Sequence, residues 1–199
     1  SRVLNPWIVV ACAAAIVTLS MGARQSFGLF MRPMGLDIGV GREAFGLAIA
    51  LQNLLFGLAQ PLVGALADRH GSGRVAAGGA LVYALGLGLA SVASDALGLN
   101  LSLGLLVGLG LSGSTFVVVL GAVGRVIDPA KRSLAFGLVT AGGSVGQFLV
   151  VPAAQGLIES FGWRGALVGL AALVALVLVL AIGVSGRPAA PDNTGPQQS

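Results

Sequence analysis

Arg24 lies in the apolar run from Trp7 to Met31 and is the single charged side chain in the interior of any long apolar segment of this sequence. An arginine held at depth in a bilayer costs ~2.5–3.5 kcal/mol on insertion scales, so it turns to a partner or a wet cavity. A permanent cation there suits an anionic substrate, and the planar fork of the guanidinium matches a carboxylate. Gln25, Gln52, Asn53, Ser112, Thr115 and Gln147 stand at comparable depth and complete the candidate substrate-binding set, with Ser114, Thr140 and Ser144 beside them. Two plainer readings compete. Ser and Thr hydroxyls in apolar helices also bond backbone or ease helix packing, and Arg24 is placed where it can snorkel to the outer interface.

A second concentration of chemistry is GALADRHGSGRV, Gly64 to Val75, which packs Asp68, Arg69, Arg74 and the only histidine, His70, into twelve residues. Asp68 falls at the C-terminal end of an expected helix, where the helix dipole disfavours a negative charge. It therefore pairs with a nearby Arg or with the N-terminal end of another helix, unless these charges only mark the side of a membrane. Gly110-Leu111-Ser112-Gly113 mimics a rhomboid-type serine nucleophile. A serine needs a base, and the one histidine stands in a different, polar loop, so catalysis is not expected. One cysteine, Cys12, leaves no disulfide and no cysteine-based metal site; the sequence calls for no metal and no cofactor.

The elements that must position these residues follow from composition. Hydrophobic residues are 56% and charged residues 9% of the 199, with a mean hydropathy of +0.96. A soluble domain carries roughly 25% charged residues; this is an all-α membrane protein embedded in a lipid bilayer. The pI of about 10.6 reflects membrane-orienting charges, not a nucleic-acid partner. A span needs ~20 apolar residues, and six runs qualify: Trp7 to Met31, Ala44 to Ala67, Val75 to Ala93, Leu97 to Val123, Leu134 to Ile158 and Trp163 to Val184. Seven basic residues (Arg2, Arg69, Arg74, Arg125, Lys131, Arg132, Arg187) then fall on one side against three (Arg32, Arg42, Arg164) on the other. That bias puts both termini in the cytoplasm, here of an inner membrane. Residues 1–185 form the transmembrane domain, and the Pro- and Gly-rich tail 186–199 is expected to be a disordered cytoplasmic end.

The chain repeats at an offset of 91. Ala44-Phe45-Gly46-Leu47 returns as Ala135-Phe136-Gly137-Leu138, and Pro61, Asp68 and Gly71 meet Pro152, Glu159 and Gly162. Three spans per unit, about 1–93 and 94–185, is an odd number, so the second unit lies upside down relative to the first. Inverted three-helix repeats are a known way to build transporters around a midplane site.

Gly64, Leu66, Asp68, Arg69, Gly71 and Arg74 resemble the signature loop between the second and third helices of the major facilitator superfamily. Asp128 followed by Lys131 and Arg132, the stretch AGGSVGQ ahead of Pro152, and Gly162-Trp163-Arg164 are similar to that family too. RQSFGLF and ALQNLLFGLAQP look most like its monocarboxylate and oxalate/formate branch. The resemblance implies the N-terminal six-helix half of a secondary active transporter for a small organic anion. It also implies a conformational latch in which Arg69 or Arg74 reaches Asp128 while Asp68 faces a helix of the other half. That other half is expected as a missing C-terminal unit or a second copy; a six-helix homodimer is the alternative. Gly104 stands where many members carry an arginine ahead of Gly108-Leu109-Gly110, so the proton-linked role of that arginine does not transfer.

Overall fold

The computed structural model describes residues 5–185, all of whose regular elements are helical. The expected tail 186–199, with Arg187, and Arg2 at the other end lie outside the described residues. Helix α1 (Pro6–Gln25) opens on Asn5, whose side chain accepts from Trp7 N, with Pro6 as its first residue. It tightens into a 3₁₀ turn (Ser26–Phe30) and continues as α2 (Met31–Ile38), ended by Gly39 at φ 66°. The first span therefore reaches Ile38, beyond the expected Met31, because the helix outlasts the apolar run and stops only where a left-handed residue is supplied. α3 (Arg42–His70) turns directly into α4 (Ser72–Ser91) at Gly71, φ 92°. Then come α5 (Ala96–Leu99), a π-helical stretch (Asn100–Leu106), α6 (Val107–Gly113) and α7 (Phe116–Val126), with an extended Thr115 between the last two.

The final helix, α8 (Arg132–Gly183), runs for 52 residues but is broken at Gly162, φ 70° and ψ 173°. Unbroken, it would extend ~78 Å at 1.5 Å per residue, more than twice the ~30 Å hydrocarbon core. Among the described residues five helical segments are long and apolar enough to cross a membrane, and the last of them, Pro129–Gly183, contains this break. Their outer surfaces carry Leu58, Leu62, Phe148 and Val179, all more than 60% exposed, as a lipid-facing surface requires.

Two contacts fix the bundle around α1. On one side α1 meets the first part of α8: a Cβ on Gly142 would stand 2.7 Å from the Ala14 carbonyl oxygen, and Thr18 Oγ1 donates to Gly142 O at 2.9 Å. On the other, Tyr83 of α4 is fully buried and donates its hydroxyl to Ser20 O at 3.0 Å. Small residues allow the close approach, and the polar contacts set rotation about the helix axes.

Candidate substrate site and the two polar ends

Arg24 sits in the last turn of α1, immediately before the helix changes to 3₁₀. Its Nη2 donates to Asn53 Oδ1, Nη1 lies 4.0 Å from Met21 Sδ, and the guanidinium stacks 5.0 Å from the centre of the Phe56 ring. Phe56 is the middle residue of α3, fourteen from each end. The cation thus lies level with the middle of α3. Asn53 is held in turn by Nδ2 donating to Ile49 O at 2.9 Å.

These residues border a cavity of about 490 Å³ walled by Arg24, Gln25, Gln52, Asn53 and the rings of Phe27 and Phe45. Gln25 is exposed on it. Gln52 is 1% exposed, and its Nε2 is a buried donor with no protein partner. The site therefore offers a cation held by one amide oxygen, with no carboxylate partner among the described residues, one unspent amide donor, and aromatic walls. An unpaired buried donor costs ~1–3 kcal/mol; a ligand oxygen or water relieves it.

The remaining members of the expected set go elsewhere. Ser112 and Thr115 are fully buried, and their hydroxyls donate to Leu109 O at 2.6 Å and Leu111 O at 2.8 Å. Ser114 does the same with Gly110 O at 3.1 Å. For all three the backbone-bonding reading describes the geometry, and none walls the cavity. The bonded, buried Ser112 and the exposed His70, whose Nδ1 lies 3.3 Å from Leu66 O, make no nucleophile and base. Gln147 is exposed on α8 and is not a wall of the cavity.

The charged loop is arranged differently from the expected latch. Asp68 pairs with Arg125 of α7 at 3.4 Å, and Arg125 Nη2 also donates to Ser72 Oγ. Asp128 instead caps the short 3₁₀ turn Pro129–Lys131, accepting from Ala130 N at 2.9 Å. Neither Arg69 nor Arg74 pairs with Asp128 among the described residues. Asp128 lies two residues before the amide it caps, so the local bond satisfies it first. Arg125, in the last turn of α7, also favours that helix's dipole.

At the opposite end is a cluster that sequence reasoning missed. Asp37 accepts from Trp163 Nε1 at 3.1 Å and pairs with Arg164 at 3.4 Å. Arg164 also donates to Ser91 O at 2.8 Å, with its guanidinium 4.3 Å over the Trp163 ring. It ties the ends of α2, α4 and the second part of α8 together. A signal existed: at the offset of 91, Asp37 coincides with Asp128.

Comparison with known proteins gives the arrangement its family. Residues 11–198 match the Major Facilitator Superfamily. The chain belongs to the major facilitator superfamily. Human monocarboxylate transporter 11 is 36% identical over 197 residues, covering 94% of this chain and 41% of that protein. Monocarboxylate transporter 13 of Rattus norvegicus is 35% identical over 169 residues, 84% of this chain and 39% of that protein. Monocarboxylate transporter 3 of the same species is 34% identical over 160 residues, 80% and 32% respectively. The chain spans about two-fifths of the length of the first of these relatives. The superfamily read from the charged loop is therefore correct, and the relatives carry the monocarboxylate side of the narrower resemblance. The serine-hydrolase alternative falls with it: this is a transporter family, not an enzyme family.

Proposed function

We propose that this major facilitator chain supplies one six-helix half of a secondary active transporter that moves a small organic anion, a monocarboxylate, by alternating access. The observation that carries the reading is Arg24: a half-buried guanidinium at the mid-depth of α3, bordering a cavity, with no carboxylate partner among the described residues. Gln52 supplies a second donor, Gln25 and Asn53 orient, and Phe27 and Phe45 face the apolar part of the anion. The relatives named monocarboxylate transporters support that substrate class.

The six crossings are α1 with α2, α3, α4, α5 to α7, and the two parts of α8 on either side of Gly162, arranged as inverted units about 1–93 and 94–185. Gly71 and Gly162, 91 apart, both take positive φ at a helix-to-helix turn. The first helix of each unit is interrupted at matching places, after Gln25 and at Thr115 close to the offset of 91. Interrupted helices at mid-depth are where transporter sites are built. In this reading the Gly71 end, which gathers most of the Arg and Lys residues, faces the cytoplasm, and Asp68 with Arg125 forms the part of the latch that lies within this half. The complementary face comes from a second six-helix unit, in the same protein or in a second copy.

Uptake of labelled monocarboxylate into vesicles tests the site. Arg24→Gln is expected to abolish saturable uptake at normal expression. Arg24→Lys is expected to retain a small fraction, because it keeps the charge and loses the fork. Unchanged uptake in Arg24→Gln overturns the assignment.

A further inference from the structure

The Arg24 cavity does not end the polar surface between the first two spans. A second cavity, also about 490 Å³, lies at the Gly39 end and is walled by Met31, Arg32, Gly35 and Arg42 among others. Arg32 and Arg42 are both exposed and neither is in an ion pair among the described residues. The nearby acid Asp37 is occupied by Trp163 and Arg164, and Glu43, next to Arg42, pairs with neither arginine.

Both cavities are walled by the first span together with α3. On the first span the 3₁₀ turn Ser26–Phe30 carries the chain from Arg24 past Gly28 to Arg32; on α3, an unbroken helix, Arg42, Phe45 or Gly46, Ile49 and Asn53 follow one another at steps of three or four. Residues at such spacing share a face. Between the arginine clusters, Gly28 and Gly46 are unlike the packing glycines of the bundle, because a Cβ on either would meet nothing within 4 Å. Both wall the Arg24 cavity. At 1.5 Å per residue in α-helix and 2.0 Å in the 3₁₀ turn, Arg32 is ~14 Å from Arg24 along the first span, and Arg42 is ~16 Å from Asn53 along α3.

We infer that Arg32 and Arg42 form a second carboxylate subsite, joined to the Arg24 cavity by the glycine-floored track between the first span and α3, which captures the anion before it reaches Arg24. Two guanidiniums without an ion-pair partner among the described residues, on one concave wall, concentrate anions and raise capture rates by about 10- to 1,000-fold at low salt. The passage inward rests on the proposed role of Arg24; capture at Arg32 and Arg42 does not.

The test is the rate of phenylglyoxal modification of each arginine, read by peptide mass spectrometry on the protein in phosphatidylcholine vesicles, with propionate against chloride at equal ionic strength. Propionate is expected to slow Arg32 and Arg42 by the factor 1 + [L]/Kd, about tenfold at ~10 Kd, and to leave Arg69 at the opposite end unchanged. The protection is expected to persist in Arg24→Gln. Equal rates in the two salts at Arg32 and Arg42 overturn the subsite, and if Arg24 alone is protected the proposed function stands without it. Protection that requires phosphatidylglycerol and ignores propionate assigns the arginines to a lipid headgroup and overturns the capture role. Gly46→Leu, which adds bulk where there is open space, is expected to lower uptake at least severalfold while Arg32 and Arg42 remain protected. Uptake unchanged in Gly46→Leu overturns the track.

Discussion

At the scale of single residues, Gln52 separates a binding site from a packing site. Its Nε2 is buried without a partner beside Arg24, whereas a glutamine kept for packing would find a carbonyl. Gln52→Leu removes an unsatisfied donor, so the bundle should be as stable as the wild type or more so by ~1 kcal/mol, while uptake falls by about an order of magnitude through a higher KM. Thermal unfolding in detergent and uptake kinetics measure both; a variant that transports normally makes Gln52 structural. Ser112 and Thr115 make the opposite case, since each hydroxyl is spent on a carbonyl of its own turn. Ser112→Ala is expected to leave KM unchanged in the same assay.

At the scale of elements, the crossing of α1 with α8 holds the site in place. A Cβ on Gly146 would fall on the Thr18 carbonyl, with its carbon at 2.8 Å, and backbone cannot move aside as a side-chain tip does. Gly146→Ala therefore has to part the helices, at ~1–3 kcal/mol. Gly78→Ala in α4, where a Cβ meets nothing within 4 Å, should stabilise by ~0.5–1 kcal/mol through the lower backbone entropy of the unfolded chain. Unfolding midpoints that move in opposite directions support this division of the glycines; equal shifts refute it.

At the scale of the whole molecule, the two polar ends differ in build. The Asp37 cluster links three helices through two donors from Trp163 and Arg164 and a carbonyl from Ser91. The other end has one ion pair among the described residues, with the Asp68 side chain 75% exposed, worth ~0–1 kcal/mol. Asp68→Asn should thus change unfolding of the bundle by less than ~1 kcal/mol. If it also slows transport in the intact carrier, that loss comes from contact with the opposing unit. Labelling of a cysteine near Ser114 from the Gly71 side measures the shift: increased access in the intact carrier supports a latch, and no change leaves Asp68 as an orientation charge.

The membrane class, several of the apolar crossing segments, the correspondence of Gly71 with Gly162 and the isolation of Arg24 in its apolar run were legible in the sequence. Each depends on a quantity summed or counted along the chain: hydropathy over a window, a repeat offset, the cost of one charge among apolar neighbours. Grouping Arg24, Gln25, Gln52 and Asn53 was legible for the same reason, since each polar pair is adjacent in sequence and shares its helix's depth. Direction around the helix axis was not. Whether Ser112 and Thr115 meet a cavity or their own backbone, and whether Asp68 finds Arg125 or waits for another helix, depends on how each helix is rotated against its neighbours. That rotation is set by contacts such as Thr18 on Gly142 and Tyr83 on Ser20, between residues 124 and 63 apart in the chain. No local pattern contains them, so the tertiary structure alone decided which polar groups share a surface.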